Sequence, residues 1–234
     1  MRLAVIPARG GSKRIPRKNI RAFLGRPIIA WSIAAARESQ LFDHVIVSTD
    51  DPEIAAIAKQ AGAEVPFTRP TDLSDDYATT AAVVKHATLW YAASDEPADI
   101  VCCLYATAPF VTATDLRAGQ DLMLSSGKSY AFSVASFSYP VQRALVMTED
   151  GGVAPLFPEH AQTRSQDLPA VYHDAGQFYW GRAAAWLNDV PLFSAASAPL
   201  ILPAHRVQDI DTLEDWHRAE LMMRVWLSEN GTGR

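Results

Sequence analysis

Short apolar segments alternate with helical patterns along the first 135 residues of the chain. The segments at 3–6, 45–48 and 100–104 are largely apolar, and each is followed by a stretch whose apolar residues recur at helical spacing. Continuous apolar runs are typical of strands buried on both faces, and strand–helix–strand units connect parallel strands. The alternation therefore predicts an α/β fold in which helices cover both faces of a mostly parallel sheet.

Capping signals mark where several helices begin. Asp51 followed by Pro52 predicts a helix start, with Asp51 as the N-cap. Thr112 and Asp115 have the spacing of a capping box. Residues 64–67 are expected to form a short edge strand, because an internal proline cannot donate to a sheet ladder.

The composition is ordinary for a globular chain and excludes several classes of protein. The 234 residues are 49% hydrophobic and carry a formal net charge of −5, whereas a general nucleic-acid-binding protein presents a broad basic face. The length predicts one domain over residues 1–234. The adjacent Cys102 and Cys103 are expected to be small buried hydrophobes, because successive strand residues point to opposite faces and are poorly placed to form a disulfide.

The pattern predicts neither export nor membrane insertion. The amino-terminal segment lacks the apolar core of a signal peptide, and no run of about 18 apolar residues occurs. A chain without a disulfide framework suits a reducing compartment. We therefore expect a cytoplasmic protein with neither a membrane nor a nucleic acid as its partner.

The first apolar segment ends at Pro7 in a loop that carries six cations within thirteen positions. The whole chain has 21 lysines and arginines, so more than a quarter of its positive charge lies in this loop. Loops at the carboxyl ends of strands hold ligands in α/β folds, and Gly10-Gly11 lets backbone N–H groups approach an anion. The loop therefore predicts a polyphosphate site, and the alternative is a solvated basic turn. The six cations are Arg9, Lys13, Arg14, Arg17, Lys18 and Arg21.

Several familiar site motifs are absent from the sequence. The basic loop has neither the Walker A spacing nor the Gly-x-Gly-x-x-Gly spacing of a dinucleotide site. The histidines lack zinc-binding spacing, and no Gly-x-Ser-x-Gly elbow occurs. A P-loop ATPase, an NAD-type site and a Ser-His-Asp hydrolase are therefore unsupported.

A pair of carboxylates near the carboxyl terminus is the second candidate feature. Asp209 and Asp211 alternate, so in an extended segment both side chains lie on the same face. Two such carboxylates, completed by phosphate oxygens and waters, suit Mg²⁺. The alternative for Asp211 is a structural role, because Asp211 with Glu214 three residues later also fits a helix N-cap.

The alternation of elements fades between about residues 137 and 168, where prolines and glycines interrupt the chain. The segment nevertheless contains many apolar residues, too many for a plain solvated loop. We interpret it as an insertion within the domain that packs either against a second subunit or against its own core.

The order of these motifs resembles that of the CMP-sugar synthetases, the cytidylyltransferases that act on sialic-acid-like nonulosonic acids. The likeness covers most of the chain and begins in the basic loop. The matching segments are Ala8-Arg9-Gly10-Gly11-Ser12-Lys13, Pro16-x-Lys18-Asn19, Val47-Ser48-Thr49-Asp50-Asp51, Arg69-Pro70, Leu73-Ser74-Asp75-Asp76, Gln162-Thr163-Arg164 and Asp209-Ile210-Asp211-Thr212.

Three departures from the sialic acid enzymes favour the branch that acts on pseudaminic acid. Arg14-Ile15 stands where the sialic acid enzymes tend to have Gly and Leu, and Ala106 stands where they typically carry a glutamine that helps bind the sugar. The segment Asp174-Ala175-Gly176-Gln177-Phe178-Tyr179-Trp180 also differs from their pattern.

The resemblance implies a reaction in which CTP and a nonulosonic acid, pseudaminic acid in this branch, give a CMP-sugar and pyrophosphate. It also implies a three-layer α/β fold of the nucleotide-diphospho-sugar transferase type, a Mg²⁺ cofactor, and a homodimer formed in part by the segment at 137–168.

The same resemblance implies roles for individual residues. Catalytic roles fall to Arg9, Lys18, Asp209 and Asp211, and Asp209 and Asp211 also hold the metal. Nucleotide-binding roles fall to Ala8, Arg9, Gly10, Gly11, Ser12, Lys13, Lys18, Asn19, Arg69 and Thr79. Sugar-binding roles fall to Tyr105, Arg164, Gln177 and Tyr179.

Three alternatives remain open from the sequence. The same chemistry on N-acetylneuraminic, legionaminic or Kdo-type acid is the nearest one. A nucleotide-sugar glycosyltransferase would hold its metal through a mid-chain Asp-x-Asp, which is absent. A non-catalytic nucleotide-binding protein would keep the basic loop without needing Asp209 and Asp211.

Overall fold

Strands and helices alternate from the first residues onward in the computed structural model, which describes residues 1–94 and 96–230. The strands are β1 (Arg2–Pro7), β2 (Ala22–Phe23), β3 (Arg26–Pro27), β4 (His44–Ser48), β5 (Ile100–Leu104), β6 (Tyr130–Ser136), β7 (Leu145–Met147), β8 (Val153–Pro155), β9 (Tyr172–Arg182) and β10 (Ser197–Ile201). The α-helices are α1 (Ile28–Ser39), α2 (Pro52–Gln60), α3 (Thr80–Ala92), α4 (Ala113–Ser126), α5 (Ala183–Leu187) and α6 (Leu213–Asn230).

Six strands form one sheet in the order β10-β6-β9-β5-β1-β4. β1 pairs in parallel with β4 and β5, and β6 pairs in parallel with β10. β9 runs antiparallel between β5 and β6. The carboxyl ends of β1, β4, β5 and β6 therefore meet at one edge, where α/β folds bind their ligands.

The side chains of β1 alternate between two cores, one on each face of the sheet. Ala4 and Ile6 pack with residues of α1, α2 and α4, whereas Leu3 and Val5 pack with residues of α3 and α5. Helices thus cover both faces, and the predicted three-layer, mostly parallel α/β fold is confirmed. The fully buried Cys102 and Cys103 divide between the same two cores, as their alternation in β5 requires.

The predicted caps of α2 and α4 agree with the structure, whereas the predicted edge strand does not. The Asp51 side chain accepts hydrogen bonds from the backbone N–H groups at the start of α2, and Thr112 and Asp115 form a reciprocal capping box on α4. Residues 64–67 do not form the predicted edge strand. Only isolated bridges occur there, between Ile46 and Glu64 and between Thr49 and Thr68.

The segment between β6 and β9 leaves the main sheet and forms its own hairpin, β7–β8. Most of its large apolar side chains are exposed, whereas Val141 and Phe157 are half-buried. Tyr139 is 84% exposed and Met147 is 78% exposed. The other exposed apolar residues of this segment are Phe137, Leu145, Val146, Val153 and Leu156.

Across the part of the chain that the structure describes, no helix has the length and apolar character needed to span a membrane.

Candidate active site

A cavity of about 650 Å³ opens at the carboxyl edge of the sheet, between the ends of β1 and β5. Its wall combines residues from the basic loop, from the segment after β4, from the loop after β5 and from the segment before α6. The predicted site residues that line it are Arg9, Ser12, Lys13, Lys18, Asn19, Arg69, Tyr105, Asp209 and Asp211. Tertiary structure therefore brings the basic loop and the carboxylate pair to one site.

Lys18 connects the basic loop to the carboxylate pair. Its ammonium donates to the Ile210 carbonyl oxygen at 2.7 Å and lies 3.3 Å from the Asp211 carboxylate. The Arg14 guanidinium lies 2.8 Å from the other carboxylate oxygen of Asp211. Asp211 therefore holds two cations of the loop against the segment that precedes α6.

The N-cap alternative for Asp211 is wrong. Thr212 and Asp215 cap α6 instead: the Thr212 hydroxyl accepts from the backbone N–H of Asp215 at 3.1 Å, and the Asp215 carboxylate accepts from that of Thr212 at 2.9 Å. The Asp211 backbone N–H also donates to Asp215. Because the cap is satisfied one residue later, the Asp211 side chain is free to face the cavity.

The two cavity carboxylates suit a hard divalent cation. Desolvation at the cavity wall, together with the charge of Asp211, raises the pKa of Asp209, so a bound cation would relieve repulsion between the two groups. No cluster of three or more His, Cys, Asp or Glu side chains suited to a metal occurs in the described ranges. A pair of carboxylates such as Asp209 and Asp211 is nevertheless enough, because Mg²⁺ commonly binds through one or two carboxylates plus substrate phosphates.

Two other cations of the loop contact a carboxylate to which the sequence assigned no role. Asp76 lies 2.8 Å from the Arg9 guanidinium and also pairs with the Lys13 ammonium. Arg9 donates to the Asp75 carbonyl oxygen at 2.6 Å as well. Asp76 belongs to one of the segments that match the family, but no local pattern relates it to a loop more than sixty residues earlier.

A second ion-paired group anchors the far side of the basic loop. Arg17 donates to Asp51 at 2.5 Å and 3.1 Å and also contacts Glu53. The hydrogen bond from Arg17 lowers the pKa of Asp51 to about 2. Gly10 packs against the same carboxylate, since a Cβ there would lie 2.6 Å from Asp51 Oδ2. Asp51 therefore caps α2 and also fixes the path of the loop.

Arg69 is a buried cation at the cavity wall. Its residue is 5% exposed, and its guanidinium lies 3.5 Å from the Asp50 carboxylate. Burial lowers the pKa of Arg69. Its Nη2 is the nitrogen that faces Asp50, whereas its Nε has no hydrogen-bond partner among the described residues. A buried donor without a partner beside a cavity suits a polar or anionic ligand. Asp50 accepts the backbone N–H of Gly10 at 3.1 Å, so this amide is already occupied.

Some predicted nucleotide-binding residues serve the fold instead of lining the cavity. Ala8 is 1% exposed and its N–H donates to Ser48. Thr79 caps α3, and its neighbour Thr80 lines the cavity in its place.

Asn19 of the basic loop does line the cavity, and its side-chain amide donates to the Arg9 carbonyl oxygen at 3.0 Å. Neither Gly10 nor Gly11 is part of the cavity wall, although a Cβ on Gly11 would meet nothing within 4 Å.

The predicted sugar-binding residues divide in the same way. Tyr105 lines the cavity and its hydroxyl lies 3.2 Å from that of Thr80. Tyr179 and Gln177 are 2% and 3% exposed and lie behind the wall, because residues of β9 in the centre of the sheet are covered on both faces. Arg164 lies in the segment between β6 and β9, mostly exposed, and pairs with Asp167 at 2.7 Å. The structure does not bring it to the cavity of its own chain.

Solved structures of two cytidylyl-transferring enzymes share this fold. CMP:2-keto-3-deoxy-manno-octonic acid synthetase complexed with CTP superposes with a TM-score of 0.71 at 18% identity, over 97% of this chain and 99% of that one. The 4-diphosphocytidyl-2C-methyl-D-erythritol synthase of Anaerococcus prevotii superposes with a TM-score of 0.63 at 13% identity, over 95% and 98%.

Sequence relatives are nearer. The pseudaminic acid cytidylyltransferase of Campylobacter jejuni is 44% identical over 95% of this chain and 96% of its own length. The CMP-N,N'-diacetyllegionaminic acid synthase of Legionella pneumophila is 33% identical over 95% and 96%. Residues 3–210 match the cytidylyltransferase family. The match includes the basic loop and extends into the segment that carries Asp209, so the chain belongs to the cytidylyltransferase family.

Proposed function

We propose that this enzyme transfers the cytidylyl group of CTP to a nonulosonic acid, with pseudaminic acid as the preferred acceptor, and releases pyrophosphate. The observation that carries the proposal is the cavity in which the loop cations Arg9, Lys13 and Lys18 meet Asp209 and Asp211. A triphosphate needs concentrated positive charge, and a cluster of cations with two carboxylates suits a triphosphate that arrives with a divalent cation.

The acceptor is inferred from the relatives. The pseudaminic acid cytidylyltransferase of Campylobacter jejuni is 44% identical to this chain, against 33% for the legionaminic acid enzyme, at the same coverage. Two of the sequence departures that resemble the pseudaminic acid branch lie near the cavity: Ala106 lines it, and the segment from Asp174 to Trp180 runs through β9 behind its wall.

In the proposed reaction, the anomeric hydroxyl oxygen of the acceptor attacks the α-phosphorus of CTP. The bond from the α-phosphorus to the bridging oxygen breaks, pyrophosphate leaves, and the hydroxyl proton passes to solvent. Arg9, Lys13 and Lys18 would hold the triphosphate and neutralise the charge that develops on the leaving group. The buried guanidinium of Arg69 would use its unpaired Nε donor on the nucleotide, and Tyr105 would contact the acceptor. Catalysis is then mainly orientation and charge neutralisation.

Asp209 and Asp211 would hold Mg²⁺. When bound, the ion would neutralise charge on the phosphates and favour loss of the proton from the attacking hydroxyl. The protein would hold the two carboxylates close to Lys18, while other side chains cap α6. The phosphates would then enter between charges of opposite sign.

We further propose that residues 1–234 act as one cytidylyltransferase domain, in the cytoplasm, and that two copies associate through the segment at about 137–168. Large outward apolar side chains such as Tyr139 and Met147 support this association, because a monomer rarely exposes a contiguous apolar patch. Arg164 belongs to the same segment and would then lie near the subunit boundary.

A pyrophosphate-release assay tests the proposed reaction. The purified protein is incubated with CTP, Mg²⁺ and, separately, pseudaminic, N,N'-diacetyllegionaminic, N-acetylneuraminic and Kdo acids. We expect pseudaminic acid to give a kcat/KM at least about tenfold above the others, with formation of the CMP-sugar. Pyrophosphate release from CTP in the absence of any acid would refute the proposed reaction. A different best acceptor would refute only the choice of sugar.

A further inference from the structure

A buried ion pair fixes the chain just before the carboxylate pair. Arg206 donates to both carboxylate oxygens of Asp115, at 2.7 Å and 2.9 Å, and the two side chains are only 14% and 9% exposed. Asp115 is itself held by the capping box of α4. A bidentate guanidinium–carboxylate pair at low exposure has one geometry rather than many. Arg206 is thereby located relative to α4, although 91 residues separate the partners.

Gln177 holds the backbone of the same residue from the other side. Its amide nitrogen donates to the Arg206 carbonyl oxygen at 2.6 Å. Gln177 is 3% exposed, and its backbone carbonyl oxygen accepts from the backbone N–H of Tyr105 at 2.9 Å. Its side-chain oxygen has no hydrogen-bond partner among the described residues. Among the described residues, the buried side-chain amide therefore makes a single hydrogen bond, and the acceptor lies on the segment that leads to Asp209.

The segment from Arg206 to Asp211 pairs with no strand among the described residues, so contacts at its two ends determine where it lies. One end is held at Arg206, and the other is held by the contacts of the basic loop with Ile210 and Asp211. The chain leaves β10 at Leu202, whose N–H donates to the Val134 carbonyl oxygen. A short 3₁₀ turn, Ala204–Arg206, then leads into this segment. After Arg206, the half-buried Val207 packs against the core, and the next fully buried anchor is Ile210, 1% exposed. Asp209 and Asp211 flank this anchor and face the cavity.

We propose that Gln177, Arg206 and Asp115 are positioning residues that hold the Asp209–Asp211 segment against the cavity. They fix the chain at Arg206 from β9 and α4, and Ile210 anchors it again three residues further on from Val207, so that the two carboxylates stand opposite the basic loop. This inference replaces the predicted contact of Gln177 with the sugar. Its consequence for metal use rests on the proposed function, whereas its structural part does not.

Gln177→Met tests the inference with little risk to the fold. Methionine has a similar volume, and the substitution removes the amide oxygen that already lacks a partner, so only one hydrogen bond is lost. Arg206→Lys is the second variant, because lysine keeps the charge next to Asp115 but cannot form the bidentate contact. Tyr130→Phe is the matched control. It also removes one side-chain hydrogen bond to a backbone carbonyl, that of Val190, but at the opposite edge of the sheet.

The first measurement is amide hydrogen exchange of residues 207–211 in the ligand-free protein. We expect exchange to accelerate about fivefold in Gln177→Met, with a similar or larger increase in Arg206→Lys and no change in the control. Unchanged exchange at 207–211 in both variants would overturn the inference.

The second measurement is the Mg²⁺ concentration for half-maximal pyrophosphate release at saturating CTP. We expect it to rise about fivefold in Gln177→Met, with the KM for the acid within about twofold of the parent value. A large rise in that KM without a change in exchange would restore the sugar-contact role and refute the inference. Asp209→Asn separates the two proposals. If the Mg²⁺ requirement of this variant is normal, the proposed metal site is wrong. The hydrogen-exchange measurement alone then decides the positioning role.

Discussion

The ammonium of Lys18 lies 3.3 Å from the carboxylate of Asp211, across 193 residues of sequence. This contact joins the basic loop after β1 to the segment before α6 and closes one side of the cavity. Since both side chains are less than one third exposed, the pair is screened less than a surface ion pair. Arg14 lies nearer to Asp211, at 2.8 Å, but its side chain is 67% exposed, so Lys18 is the more buried of the two loop cations beside the proposed metal site.

Lys18→Ala is expected to lower kcat/KM by a factor of about 10² to 10³, corresponding to about 3–4 kcal/mol of transition-state stabilisation. The physical reason is the loss of a preorganised charge where the triphosphate is proposed to lie. Pyrophosphate release measures the rate, and thermal unfolding checks that the fold persists. Near-normal turnover of a folded Lys18→Ala protein would contradict the proposed site.

Asp211 and Thr212 are adjacent, yet substitutions at the two positions are expected to separate function from stability. Asp211→Asn should raise the Mg²⁺ requirement several-fold with a small effect on unfolding, because the α6 cap does not use its side chain. Thr212→Val removes a cap and should cost about 1 kcal/mol of stability with a normal Mg²⁺ requirement. Mg²⁺ titrations and denaturant unfolding measure both. If the two variants behaved alike, the assignment of the cap would be wrong.

Asp76→Asn is expected to tighten CTP binding in the absence of the acid by about two- to fivefold. In the ligand-free protein, the Asp76 carboxylate pairs with Arg9 and Lys13, and a triphosphate must replace it on these cations. Calorimetric titration of CTP at low and moderate salt measures the effect, and added salt should reduce the difference. Asp75→Asn is the control, because Arg9 contacts the backbone carbonyl oxygen of Asp75. Weaker binding by Asp76→Asn would show that Asp76 supports the nucleotide instead.

The Arg17–Asp51 pair is expected to contribute to stability in a pH-dependent way. The folded-state pKa of Asp51, about 2, lies below its ordinary value of 3.8. The contribution is therefore fully present above about pH 4 and is lost as the pH falls toward 2. We expect Arg17→Met to cost about 1 kcal/mol near neutrality, a value reduced for the partial exposure of Arg17.

Denaturant unfolding of the parent and Arg17→Met proteins between about pH 2 and pH 7 measures this difference. The two curves should converge on acidification. A difference that stayed constant down to pH 2 would mean that the Asp51 charge does not stabilise the fold through Arg17.

Met147→Lys is expected to dissociate the proposed dimer, because it introduces a charge into an exposed apolar hairpin. Sedimentation velocity should give a mass near twice 25.6 kDa for the parent and near 25.6 kDa for the variant. Leu221→Lys, on the exposed side of α6, should remain dimeric. A monomeric parent protein would contradict the association, and dissociation of both variants would place the interface elsewhere.

The sequence by itself determined the features that depend on neighbouring residues. Alternating apolar segments specified the parallel strands and the covering helices, since burial on both faces requires continuous apolar runs. The caps at Asp51 and at Thr112 followed from local hydrogen-bond chemistry. The basic loop after β1 and the alternating Asp209 and Asp211 were also visible, because charge and spacing are written in the chain.

Tertiary structure alone decided which charges meet. No local pattern shows that Asp76 pairs with Arg9, or that Gln177 donates to the Arg206 backbone, because such contacts depend on how separate elements pack. The helix cap at Thr212 was missed for a related reason: Asp211 and Thr212 are both good capping residues, and only the path set by the buried neighbours selects one. Long-range packing therefore assigned the roles of side chains whose chemical types the sequence already contained.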